Sequence, residues 1–235
     1  MGMRRSLILL STICLVLASE TAGSVKKGDL EIEVLGGWGM ESGTSLGDDH
    51  ASIVAGETGA DLDGWFASGG IAYFTSKNFQ IGLAGFGSSL DGSERTTIYP
   101  VSDPIFGSSI VYDVDVDATI YGGGGRFKWH FAPRKALVPY VGVQVLWATA
   151  DLDVSGTAEH FITVDDITES ESVENINESD SDSGVLWGPI VGLRYQLAAQ
   201  IEILLEYQYH MWSGSIGDIL DNGHAISAGL CVKLK

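Results

Sequence analysis

The stretch "IEILLEYQYHMW", Ile201–Trp212, admits few folds. Ile201, Ile203, Leu205, Tyr207, Tyr209 and Met211 form one alternating set; Glu202, Glu206, Gln208 and His210 fall in the other. A period of two is that of a β-strand with two unlike faces, because successive side chains point to opposite sides. A helix would scatter the two carboxylates among the apolar residues. The strand therefore needs an apolar medium on one side and polar partners on the other. A half-exposed strand of a soluble sandwich and a strand of a membrane barrel both fit that description.

The same period recurs, and we read eight such segments: Leu30–Met40, Trp65–Thr75, Gln80–Ser88, Thr119–Phe131, Val138–Ala150, Leu186–Leu197, Ile201–Trp212 and His224–Leu234. Three connections are tight: "TSKN" at Thr75–Asn78, "APRK" at Ala132–Lys135 and "LAAQ" at Leu197–Gln200. The other four are longer: Glu41–Gly64, Ser89–Ala118, Asp151–Val185 and Ser213–Gly223. Regular alternation of short and long connections is the pattern of outer-membrane barrels, with short periplasmic turns and long external loops. Eight is also the smallest strand number of that class. Glycine, 31 of 235 residues, is about 13% against a usual ~7%. Together with only 5 prolines this suits a tightly curved all-β chain.

Tryptophan positions test the barrel independently. Trp38, Trp65, Trp147, Trp187 and Trp212 fall where strands meet long connections. Trp129 lies near a short turn, with Phe74, Phe79, Phe131 and Tyr140 expected at the same level. Indole settles at the headgroup level of a bilayer, so two aromatic rings a strand length apart mark a membrane barrel. The lipid face of the opening strand is then Ile201, Ile203, Leu205, Tyr207 and Tyr209. Only closed barrels and helices satisfy every backbone group in hydrocarbon.

The N-terminus reads as an export signal. "MGMRR" is charged, "SLILLSTICLVL" is apolar but too short to span a bilayer as a helix, and Val16-Leu17-Ala18 fits a cleavage site. Residues 1–18 are thus expected to be a signal peptide, 19–28 a periplasmic segment and 29–235 the barrel. Cleavage would remove Arg4 and Arg5, taking the charge from −18 to −20, and Cys14, leaving Cys231 with no disulfide partner. This charge argues against nucleic acid as a partner.

Several segments resemble the outer-membrane β-barrel families typified by OmpA-like and opacity-protein-like porins: "YFTSKNFQIGLAGFG", "GGGGRFKWHFAPRKALVPYVGV", "ILLEYQYHMWSG" and "HAISAGLCVKL". The resemblance covers nearly all of the expected mature chain. It implies an eight-stranded antiparallel barrel in the outer membrane of a diderm bacterium, inserted by the barrel assembly machinery and surrounded by outer-membrane lipids and lipopolysaccharide. A monomer is expected. One departure stands out: these families usually end on an aromatic residue, whereas this chain ends Leu234-Lys235.

Strand phase assigns an interior set. It comprises Glu31, Glu33, Arg126, Lys128, His130, Gln144, Arg194, Glu202, Glu206, Gln208, His210 and Lys233. Four carboxylates match four fixed cations, which predicts an ion-pair network filling a narrow lumen. Such a network is either a solid plug or a gate on a small conductance. A barrel of this size is normally filled by side chains, which favours the plug.

Other constellations are weaker. The run Asp151–Val185 carries eleven acids and no Lys or Arg, and reads as a mobile, solvated loop, with cation binding as the sharper alternative. Asp113, Asp115 and Asp117 lack the Gly and Glu an EF-hand needs, since Ala118 and Gly124 occupy those positions. Their phase clashes with that of Phe127 and Trp129 unless a bulge sits in Gly122–Gly125. His210 and Ser213 could pair at the rim as in a lipid-modifying enzyme, but His210 has the interior phase and no acid stands clearly behind it. No catalytic, metal or cofactor site is expected. The leading role is structural or interactive at the cell surface, with a narrow small-solute porin second and a lipid A-modifying enzyme third.

Overall fold

The computed structural model describes residues 26–44, 62–102, 106–131, 136–164, 167–218 and 220–234. The signal-peptide reading, the Ala132–Lys135 turn, Asp165 and Asp166 lie outside these residues. Eight strands pair in chain order and close as a barrel. They are β1 (Leu30–Thr44), β2 (Leu62–Phe74), β3 (Phe79–Ser102), β4 (Phe106–His130), β5 (Leu137–Val164), β6 (Ile167–Gln196), β7 (Ile201–Gly214) and β8 (Leu220–Leu234). Every pair is antiparallel, including the closing pair β1–β8.

The register fixes the dimensions. A row of directly opposed residues runs Phe79–Trp129–Val141–Val191–Tyr207–Ile226–Trp38–Trp65 and re-enters β3 at Ser89. The row has climbed from residue 79 to residue 89, a shear of ten. With eight strands at ~4.8 Å spacing and a ~3.3 Å rise, this shear tilts the strands about 40° and sets a backbone diameter of about 16 Å. Side chains reaching in from opposite walls meet across such a width.

Alternation puts one set outward. Leu83, Ile71, Val141, Val191, Leu205 and Ile226 are among the large apolar residues on the outside, 37–73% exposed. A contiguous apolar belt of this extent has no place on a soluble protein and matches the hydrocarbon core of a membrane. Trp38, Trp65, Trp147 and Trp187 edge the belt at one end, while Trp129 and Phe131 edge it at the other.

Three expectations about facing are corrected. Trp212 is 9% exposed and points into the barrel, because it shares the even phase of Glu206 and His210. Phe74 and Tyr140 are also buried inside rather than in the lower ring. Ile201 is buried at the start of β7 beside Glu202, where the chain leaves the turn, instead of facing lipid.

The long connections are shorter than the sequence reading held. β3, β4, β5 and β6 run on well past the ring. β2–β3 pairing stops at Asp63↔Asp91 and β6–β7 pairing at Gly184↔Gly214. The central four strands continue pairing to Ser102↔Gly107 and Val164↔Ile167. From Asp117↔Asp153 to Phe106↔Val164 is eleven steps, roughly 36 Å of sheet at ~3.3 Å each. Ser89–Ala118 and Asp151–Val185 are therefore mostly paired strand, not solvated loop. Ser213–Gly223 holds the end of β7, a short 3-10 turn at Ser215–Asp218 and the start of β8.

Asp113, Asp115 and Asp117 lie on the exposed outer face of this sheet. No bulge at Gly122–Gly125 is needed, since β3–β4 register is continuous from Phe79↔Trp129 to Ile98↔Ile110. The aspartates share the outward phase of Phe127 and Trp129 but stand beyond the apolar belt. On the inner face Tyr112, Val116, Val154 and Ala158 are buried. The exposed acids of β6, among them Glu174, Glu178 and Asp180, deter pairing of its long edge with other chains.

Candidate functional site

The barrel interior changes character along its axis. The half nearer the short turns is polar. Arg194 donates from Nη2 to Glu31 Oε1 and Oε2 at 2.9 and 2.8 Å, and from Nε to Glu202 Oε2 at 2.6 Å. Lys233 Nζ lies 2.5 Å from the other Glu202 oxygen. Lys128 Nζ bridges Glu33 and Glu206, 2.7 Å from each. Gln80 Nε2 donates to both Glu31 and Glu33, at 3.0 and 3.1 Å, while its Oε1 meets His130 Nε2 at 3.1 Å.

A second group of partners completes this layer. Arg126 sits 3.9 Å from Glu206 and 3.5 Å from Gln208 Oε1, which also accepts from Gln144 Nε2 at 3.1 Å. Arg126 further reaches Ser68 at 3.5 Å. The connected groups come from all eight strands, since β2 supplies Ser68, β3 Gln80 and β8 Lys233.

Aromatic faces line the same layer. The Arg194 guanidinium is 5.5 Å from the Phe74 ring and Lys128 Nζ 5.0 Å from the Tyr140 ring. A Cβ at Gly192 would land on the Tyr140 ring, so glycine there makes room for Tyr140 in the lumen. Each side chain in this layer is at most 8% exposed. Two carboxylates on each of Lys128 and Arg194 replace part of the hydration lost on burial, which a single contact would not.

Above it sits a small second layer. His210 Nδ1 and Glu41 Oε1 are 2.6 Å apart, and Trp212 Nε1 donates to Glu41 Oε2 at 2.8 Å. This joins β1 to β7 over the intervening β8. Gly223 of β8 lies so close to the Glu41 carboxylate that a Cβ would collide with it. The acid behind His210, not visible in the sequence reading, is Glu41. It has the odd inward phase of Glu31 and Glu33 and lies in β1, past the point where the apolar signal of the strand ends. Ser213 is not its partner: it is exposed on the opposite face and donates to Val185 O at 3.3 Å.

The third layer, toward the long hairpins, is apolar. Leu62, Phe66, Leu90, Ile120, Leu146 and Leu186 pack with Trp212, Ile216 and Leu220 into one buried cluster. A polar network filling the whole lumen is thus corrected to one end of it. The polar-phase positions of the upper strands carry Leu, Ile, Ala and Phe instead of charges.

All twelve interior positions expected from strand phase are buried. Eleven join the lower layer, and His210 joins Glu41 above. Sequence reasoning missed Gln80, Ser68, Tyr140 and Glu41, although parity alone would have placed each inside. Glu31, Glu33 and Cys231 come together closely enough to hold a metal ion among the described residues. Both carboxylates are already engaged by Arg194, Lys128 and Gln80, and Arg194 Nη2 lies 3.5 Å from the sulfur. A cation would meet two fixed positive charges there.

An antiparallel eight-stranded ring with an apolar outside, aromatic edges and a polar-lined inside is an outer-membrane β-barrel. The chain belongs to the outer membrane protein beta-barrel domain family, whose model matches residues 8–233. It is located in the cell outer membrane.

Solved structures give fold-level likenesses. One is Neisserial surface protein A, 10% identical, with 87% of this chain and 97% of that one covered and a TM-score of 0.42. Another is OprG of Pseudomonas aeruginosa, 12% identical, covering 91% and 99%, TM-score 0.45. A third is Ail, the attachment invasion locus protein of Yersinia pestis, 12% identical, covering 87% and 99%, TM-score 0.37. Comparison with curated proteins gives no match.

Proposed function

We propose that this protein is a non-conducting, non-enzymatic barrel that anchors a projecting β-sheet at the cell surface, where the sheet meets the environment. The observation that carries this reading is the double closure of the lumen. A backbone diameter of about 16 Å leaves little free width. The polar layer fills one half, and the apolar cluster around Phe66, Leu146, Leu186 and Trp212 fills the other. An ion crossing the apolar layer would shed its water without replacement ligands.

The polar network is then scaffolding. It joins the strands near the short turns, and the sheet of β3–β6 is held at the opposite end. The long hairpins are read as external and the short turns as periplasmic. Exposed Lys26, Lys27 and Lys77 at the short-turn end and the acids of the sheet at the other give the two ends opposite charge. Lipopolysaccharide and phospholipid surround the belt, the barrel assembly machinery inserts the chain, and the barrel works as a monomer.

A porin reading would need a water-filled path past the apolar layer. An enzyme reading would need Ser213 beside His210, and the two point to opposite sides of the wall. Planar-bilayer recording of the purified protein tests the proposal: silence is expected. Reproducible conductance steps would overturn it in favour of the porin.

A further inference from the structure

The outer wall of the barrel is not evenly covered. A groove of about 470 Å³ crosses β5 to β8 within the apolar belt. One wall is the row Val141, Val191, Tyr207 and Ile226, opposed in register across the four strands. The other is Pro139, Leu193 and Leu205. Between the walls lie Tyr140, Gly192 and Glu206. The Tyr140 and Glu206 side chains are buried on the lumen side, so these residues give the groove a main-chain floor.

The direction of the groove follows from the shear. Its lower end is at Phe131, next to Trp129 in the aromatic edge at the short-turn end. The row that forms its upper wall rises through Ile226, which is opposite Trp38 of the other aromatic edge. The groove therefore starts at one headgroup level and slants into the hydrocarbon.

The chemistry of the groove excludes most occupants. Its side walls carry aliphatic side chains and the Tyr207 ring, and among the described residues that line it no charged side chain points into it. An extended polypeptide segment would bring backbone N–H and C=O groups with nothing to pair them in hydrocarbon. The volume is within the ~300–1,000 Å³ range of small-molecule sites. A flexible hydrocarbon chain anchored at the headgroup level fits both the direction and the lining.

We infer that this groove is a binding site for one acyl chain of a phospholipid from the short-turn leaflet, its headgroup resting beside Phe131 and Trp129. The bound chain fills the depression between the two rows and stays with the barrel when bulk lipid is removed. This inference is independent of whether the lumen conducts.

Native mass spectrometry of the detergent-solubilised full barrel, with dipalmitoyl phosphatidylethanolamine added at low ratio, tests it. The wild-type barrel is expected to retain a single lipid. Val191→Trp fills the groove from one wall and Leu205→Trp from the other. Each should lower the retained fraction roughly tenfold, the loss of about 1.4 kcal/mol of binding. Leu83→Trp, on β3 and outside the groove, should leave retention unchanged. Using both groove variants keeps the test alive if one fails to fold. Equal retention by all folded variants, or none by the wild type, would overturn the site. A dimer mass abolished by Val191→Trp would assign the groove to a second copy of the chain and equally overturn it.

Discussion

Arg194 is the most demanding point of the polar layer. It is Glu31's charged partner and shares Glu202 with Lys233. Arg194→Met keeps an unbranched stem over the Phe74 ring but removes the guanidinium. Glu31 then retains the Gln80 amide as a donor, at 3.0 Å, while Glu202 keeps Lys233. Stranding a buried charge costs about 3–5 kcal/mol, and the residual partners place this substitution toward the lower figure.

Urea unfolding from liposomes, followed by tryptophan fluorescence, should show that loss as a lowered midpoint with an unchanged slope. Adding Glu31→Gln to Arg194→Met removes the stranded charge and should recover about half of the loss or more. The bilayer should remain silent in both variants, because the apolar layer is untouched. An unchanged midpoint in Arg194→Met, or a double variant as unstable as the single, would refute the account of the network. Conductance in Arg194→Met would show that the ion pairs rather than the apolar layer form the barrier.

Three further outcomes follow from the geometry. Leu205→Arg puts charge in the apolar belt, in the half nearer the short turns, and should destabilise the inserted barrel by at most roughly 2–4 kcal/mol, with Glu206→Gln costing less because Glu206 faces inward; equal folding of Leu205→Arg and wild type in liposomes would refute the phase of β7. Glu41→Leu removes the acceptor of both His210 and Trp212 and should cost about 1–3 kcal/mol for each donor left unpaired, read in the same urea titration alongside a shift in tryptophan emission. Gly192→Val collides with Tyr140 and should lower the yield of folded barrel in refolding assays, whereas Gly192→Val with Tyr140→Ala should restore it.

Much of this barrel was legible in the residue pattern because a strand's facing is a matter of parity. Once Glu206 is inward, every even residue of β7 is inward, Trp212 included. At Trp212 phase outweighs aromatic type, and the indole is buried inside. Glu41 continues the odd inward phase of Glu31 and Glu33, and Asp113, Asp115 and Asp117 continue the outward phase of Trp129. Their facing is hidden where the composition turns polar, since a strand that leaves the membrane loses its apolar signal but not its period. The same effect hid the extension of β3–β6: Asp, Ser and Thr alternating with Val and Ala mark a solvated sheet as well as a loop.

Strand count, facing, the apolar belt and its aromatic edges were therefore determined locally, by a period that each segment carries on its own. Which charge meets which was not. Arg194 and Glu31 are 163 residues apart and meet only because the ring closes β1 on β8 and sets β6 across from it. The shear of ten, the polar and apolar layers and the slanting groove likewise depend on the register of every strand pair at once. Alternation constrains each strand to two faces, but closure of the ring selects the levels at which those faces meet.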